Sequence, residues 1–229
     1  MTRLIAGNFH VLSLGEAARR RQAGTLPAAA AVITFDDGYA DNFEVAWPIL
    51  AAHGLPATFF ITTAFLDGGR MWNDEVIEAF RKVSPGELDL RQFDLGSHTL
   101  SDTASRIRGY EAVLGKLKYF EHQQRAEVAR EIGRQAAVPE RSELMMSRSQ
   151  LKMLRAAGAE IGAHTHTHPI LEGLPDEQAF AEIAAGKLEV ETILGETVSV
   201  FAYPNGVPGR DCSARHGKMV EKLGFSAAV

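Results

Sequence analysis

Three of the chain's eight histidines stand within five residues, His164-Thr165-His166-Thr167-His168, directly after the short apolar run 159–163. Far upstream, Thr34-Phe35-Asp36-Asp37-Gly38 closes a second apolar run, Ala29 to Ile33. Imidazoles and adjacent carboxylates, each at the carboxyl end of a strand, are what a hydrolytic metal site requires. Spacing alone leaves the histidine set open. If the chain turns helically after the strand, His164 and His168 share a face; if it stays extended, all three do. Two neighbouring carboxylates on extended backbone point opposite ways, so one can bind metal while the other accepts a proton. Thr165 and Thr167 can orient the loop backbone or the imidazoles. Each element also has a plain structural reading, as Asp-Asp-Gly caps helices and makes turns, and a surface His-x3-His commonly binds nothing.

A third segment, Phe201-Ala202-Tyr203-Pro204-Asn205-Gly206, ends another strand-like run. Pro204 and Gly206 suit a rigid turn with exposed N–H groups, one of which could stabilise an oxyanion.

Alternating strand-like and helix-like segments must carry these residues, which favours parallel strands with crossover helices. Expected strands run over 29–35, 57–62, around Ile161, 198–202 and 225–229. Expected helices run over 41–53, 176–194 and 214–223, with a capping box of Ser147 and Gln150 opening another. Residues 66 to 145 break the rhythm and read as a helical insertion over one face. Ile107, Tyr110, Leu114 and Leu117 mark one of its helices, and Arg125 to Ala137 another. Gly96-Ser97-His98-Thr99 reads as a loop that leads into a helix start.

At 229 residues and 45% hydrophobic, the chain can bury one α/β core. A formal charge of −5 with no sustained basic run gives no indication of a nucleic-acid partner. The single cysteine, Cys212, excludes an internal disulfide. No apolar stretch reaches the roughly 18 residues of a membrane span, and Met1-Thr2-Arg3-Leu4-Ile5-Ala6-Gly7 has too short an apolar core for a secretory leader. The default compartment is therefore the cytoplasm.

Together the three elements resemble the polysaccharide deacetylase, or NodB-homology, family, which corresponds to carbohydrate esterase family 4. Thr-Phe-Asp-Asp-Gly at 34–38 is similar to its first motif, and His164-Thr165-His166-Thr167-His168 to its His-Ser/Thr-x-x-His motif. Phe-Ala-Tyr-Pro-Asn-Gly at 201–206 is similar to the third motif of the branch that includes poly-N-acetylglucosamine deacetylases. The resemblance implies a distorted (β/α) barrel of about seven strands, incomplete at both ends. It implies one catalytic domain over 1–229, with core segments 29–65 and 146–229 and the insertion between them.

The resemblance further implies that Asp36 is the general base and that Asp37, His164 and His168 hold a divalent metal. Zinc is the first choice, with cobalt, nickel or manganese as alternatives. The metal would bind the attacking water and polarise an N-acetyl carbonyl, and the backbone N–H of Asn205 would share the oxyanion. Tyr203 and Pro204 would shape the acetyl pocket. Trp72 and Asn73 would meet the sugar, unless Asn73 caps a helix with Trp72 packed as a staple. His166 is left to face solvent, touch substrate or supply an acid. The substrate would be an N-acetylated glycan. An amidase acting on a non-carbohydrate C–N bond and an inactive carbohydrate-binding domain are the alternatives.

Two departures bear on activity. Ala202 stands where many members carry an arginine that orients the base, with Arg210 a few residues on. The family's closing strand, with its acidic histidine, would follow Val229. A barrel lacking closing strands exposes sheet edges, so low stability or self-association is expected.

Overall fold

A computed structural model describes residues 7–229, so all but the last residue of the opening segment 1–7 lie outside the described residues. The chain divides into two compact units, one formed by the residues up to Gly69 together with Glu143–Val229, the other by Arg70–Ser142.

The first unit is α/β. Its sheet has β3 (Thr34–Phe35), β4 (Thr58–Ile61), β7 (Glu160–Ala163), β8 (Val200–Phe201) and β9 (Ala227–Ala228) side by side, every pair parallel. β1 (His10–Leu12) pairs in parallel with β2 (Ala30–Val32). Only Ile33 separates β2 from β3, and its carbonyl accepts from Thr58 N–H at 3.0 Å. The single strand expected over 29–35 is thus one run whose two halves pair with different neighbours. This is the curled parallel sheet of a distorted NodB-type barrel.

Both faces of the sheet are covered, and β4 shows how. All four of its residues are buried, and Phe59 and Phe60 point to opposite sides. Phe59 stacks on Phe35 at 5.0 Å and takes the edge of Trp47 at 6.1 Å, within the large core that includes Leu151, Ile161 and Ile183. Phe60 packs with Val200 and Ala202 in a small second cluster.

Crossover helices follow the strands. The helix expected over 41–53 is in fact a π turn, Asn42–Ala46, followed by α2 (Trp47–Ala52); α1 is Leu14–Gln22. Pro48 explains the difference, because it lacks the N–H of a regular turn, and the chain widens just before it. Glu160, at the amino end of β7, anchors α1. Its carboxylate accepts from the Gly15 N–H at 3.0 Å and from the Thr58 hydroxyl at 2.7 Å. Such anchoring at the amino end of the strands leaves the carboxyl ends for chemistry.

The second unit holds α3 (Trp72–Lys82), the antiparallel hairpin β5 (Gly86–Asp89) and β6 (Ser97–Leu100), α4 (Thr103–Leu117) and α5 (His122–Gln135). It has its own core, with Phe80, Leu88, Leu100, Val113, Leu117 and Ile132. Both helices read from the sequence are present. The Gly96–Thr99 segment, read as a loop, lies instead in the hairpin, and the helix start falls at Asp102, whose carboxylate caps α4 in a reciprocal box with Ser105.

Returning to the first unit, α6 (Arg148–Ala156) opens on the Ser147–Gln150 capping box, α7 is Asp176–Leu194 and α8 is Ala214–Lys222. No helix among the described residues is long and apolar enough to cross a membrane.

Candidate metal centre

Sheet register brings the distant motifs together. Phe35 pairs with Phe59, and Ile61 pairs with Ala163, so Asp37 and His164 emerge on either side of the end of β4. Thr62, fully buried, ties the two exits. Its N–H donates to the Asp37 carbonyl at 3.2 Å and its hydroxyl to the His164 carbonyl at 3.1 Å. Gly38, at φ +90°, turns the chain away directly behind Asp37.

The ligand-type atoms of Asp37, His164 and His168 lie within 4.8 Å of one another. Asp37 Oδ1 is 3.4 Å from His164 Nε2 and 3.2 Å from His168 Nε2, and the two imidazole centroids are 4.9 Å apart. His164 is 2% exposed, His168 16% and Asp37 24%.

The protonation pattern suits a cation. His164 Nδ1 is 2.8 Å from the Ala202 carbonyl, which can only accept, so Nδ1 carries the hydrogen and Nε2 presents its lone pair in the neutral ring. Asp37 Oδ1 is buried and accepts no hydrogen bond. Burial alone would raise the Asp37 carboxyl, but the imidazoles of His164 and His168 more than offset this and hold it well below the usual carboxylate range. The carboxylate is therefore ionised at neutral pH, as a ligand must be. That lowering belongs to the state in which the imidazoles donate to the carboxylate or carry charge; with both rings neutral and their Nε2 atoms unprotonated, electron-rich atoms face one another in a half-buried pocket, an arrangement that a divalent cation relieves. The donor set fits a metal, with two imidazoles and one carboxylate leaving positions open.

Backbone conformation at the centre is unusual. Asp37, Thr165, His168 and Asn205 all have positive φ, at 74°, 64°, 56° and 62°. Left-handed backbone in a β-branched threonine is strained, and such strain persists only where surroundings enforce it. Thr165 helps from within, its hydroxyl oxygen accepting the His168 N–H at 3.2 Å.

The remaining predicted residues fall as follows. Asp36 is exposed beside Asp37, outside the three-residue cluster. His166 turns elsewhere, its Nδ1 lying 2.9 Å from the Thr63 hydroxyl and 3.3 Å from Glu189 Oε2. Pro204 is buried and Asn205 exposed at the turn after β8. Tyr203 sets its ring edge-on to Phe201 at 5.1 Å. Burial, and to a smaller degree Cys212, push its phenol up, so it stays a donor at neutral pH. Arg210 is held by Asp211, with two contacts of 3.2 Å.

Trp72 and Asn73 belong to the second unit. Trp72 lies under the Arg125 guanidinium at 4.9 Å. The position before the helix is Met71, so Asn73 sits inside the first turn of α3 and does not cap it.

Sequence reading missed Thr62 and Glu182. Both act on backbone atoms of the motifs, which no spacing of side chains announces. Because Thr165 Oγ1 also donates to the His164 carbonyl, Thr62→Val does not orphan that acceptor. The substitution is expected to cost about 1 kcal/mol in urea unfolding. An unchanged midpoint would show that Thr62 does not tie the strand ends.

The family model for polysaccharide deacetylase matches residues 23–228. No curated protein matches the chain by sequence. Among solved structures, the deacetylase PplD of Streptococcus pyogenes, in complex with acetate, superposes with a TM-score of 0.59 at 18% identity, over 98% of this chain and 67% of that one. IcaB from Ammonifex degensii gives 0.58 at 18% identity, over 98% and 73%. The BpsB deacetylase domain from Bordetella bronchiseptica gives 0.57 at 17% identity, over 99% and 74%. These likenesses concern the fold. With the family model spanning nearly the whole sequence, the chain belongs to the polysaccharide deacetylase family, hydrolases of carbon–nitrogen bonds.

Proposed function

We propose that the chain is a metal-dependent N-deacetylase of an acetylated glycan, with Asp37, His164 and His168 as the metal ligands. The observation that carries this reading is the convergence of one ionised carboxylate and two imidazole Nε2 atoms on a single point at the sheet's carboxyl end. A bound divalent ion, zinc by preference for this donor set, supplies Lewis acidity and lowers the pKa of water. Asp36 is next in sequence and solvent-exposed, so its carboxylate accepts the proton of the attacking water. The turn at Asn205 offers a backbone N–H to the developing oxyanion. Tyr203 and Pro204 wall the acetyl group. The bond from the acetyl carbon to the sugar nitrogen breaks, giving acetate and a free amine.

A binding domain without turnover is the second reading, favoured by Ala202 together with the capture of Arg210 by Asp211. Metal analysis and acetate release decide between them. The deacetylase reading expects about one zinc per chain and acetate from N-acetylated chitooligosaccharides, lost on chelation and restored by zinc. Stoichiometric zinc with no acetate from any acetylated glycan would leave the binding reading standing. A chain that takes up no divalent metal would sink the ligand assignment.

A further inference from the structure

The 164–168 loop turns left-handed at Thr165 and His168, a conformation that the β-branched Thr165 disfavours. One stripe of α7 holds it from outside. Glu182, Gly186 and Glu189 follow at i, i+4 and i+7, so they share a helix face. Glu182 Oε2 accepts the N–H groups of His166 at 3.1 Å and Thr167 at 2.8 Å, and Oε1 accepts the Thr167 hydroxyl at 2.7 Å. One turn on, Gly186 passes so near Thr165 that a Cβ would lie 2.5 Å from its carbonyl carbon and oxygen. Glu189 reaches His166 at 3.3 Å. The side-chain contacts that α7 makes with this loop fall on the residues between the two ligand histidines.

We infer that Glu182 is a positioning residue of the metal centre. By gathering the two N–H groups between His164 and His168 onto one carboxylate, it sets the angle at which the imidazoles converge on Asp37. The inference rests on the reading of Asp37, His164 and His168 as metal ligands. Successive N–H groups in such a turn form a concave donor pair suited to an anion, and charge-assisted bonds are stronger than neutral ones. Glu182 has no lysine or arginine within ion-pair distance among the described residues. Its charge is therefore met by the loop and not by a surface cation.

The test uses the full chain, stripped of metal, as wild type, Glu182→Ala and Glu182→Gln. Zinc affinity is measured by competition with a chromophoric chelator, and amide hydrogen exchange is followed in the metal-free protein. Glu182→Ala is expected to weaken zinc binding about 10- to 100-fold and to speed exchange at His166 and Thr167 while β4 and β7 stay protected. Glu182→Gln keeps a carbonyl acceptor at the same reach and is expected to recover part of the affinity. Wild-type zinc affinity in Glu182→Ala overturns the inference. So does a loss of protection spread evenly over the sheet, which would mark a general stabiliser. Absence of zinc binding in the wild type is a separate result: it removes the metal reading itself, and the inference with it.

Discussion

Asp37→Ala is expected to abolish metal binding and turnover together, whereas Asp36→Asn abolishes turnover alone. Asp37 supplies the only carboxylate of the cluster, and its Oδ1 stands between both imidazole Nε2 atoms. Without it two nitrogen donors remain. Lewis acidity is worth several kcal/mol of barrier, so deacetylation should fall by roughly a thousandfold or more. Asp36 lies outside the cluster, so its amide variant should retain about one zinc per chain. An amide cannot take the water's proton, and loss of a general base costs on the order of 10²- to 10⁴-fold. Elemental analysis beside an acetate assay reads both quantities on the same samples. Retention of zinc by Asp37→Ala, or its loss from Asp36→Asn, would reverse the division of labour between the two aspartates.

Gly186→Ala is the second large effect, and its sign opposes helix propensity. In an open helix interior, alanine gains up to about 1 kcal/mol over glycine. Here the added Cβ would lie 2.5 Å from the carbonyl carbon and oxygen of Thr165 and 3.0 Å from its Cα. These are backbone atoms of a fully buried residue, with no rotamer through which to give way. Either α7 or the histidine loop must move. Overpacking of this kind costs about 1–3 kcal/mol, or roughly 2–4 °C in Tm for each kcal/mol in a chain of this size. Because the atoms struck lie between His164 and His168, zinc affinity should fall as well. A variant as stable as the parent, with its zinc affinity intact, would show that the helix and loop are not locked together.

The pattern of what could be read from the sequence follows from where the information lies. β4 and β7 are legible because continuous apolar runs mark strands buried on both faces, as Phe59 and Phe60 are. The meeting of the Asp36-Asp37 pair with the histidine run is legible because strand ends gather at one side of a parallel sheet, whereas the choice of Asp37, His164 and His168 among them rests on the family resemblance. Spacing alone does not separate His166 from its neighbours. The left-handed turns at Thr165 and His168 do that, and neither residue type announces positive φ. The hairpin at 86–100 leaves little trace, since Leu88 and Leu100 are its buried strand residues. Glu182 falls within the helix expected over 176–194, but periodicity cannot tell which acidic residue meets the N–H groups of a distant loop. Pro48 could have announced the π turn, because its missing donor is a property of the residue itself.

Thr62, fastened to the carbonyls on both sides of it, also has a bearing on how the protein matures. The three proposed ligands meet only after β4 has found β3 on one flank and β7 on the other, and such non-local pairing is the slow part of folding. Before that, the chain offers zinc only groups that are neighbours in sequence, the histidine run or the aspartate pair, and not the two together. An ion that binds the native state far better than the unfolded one draws the equilibrium toward it by mass action. Zinc added during refolding would thus raise the yield, and the amount retained would count finished sheets, leaving misfolded chains uncounted.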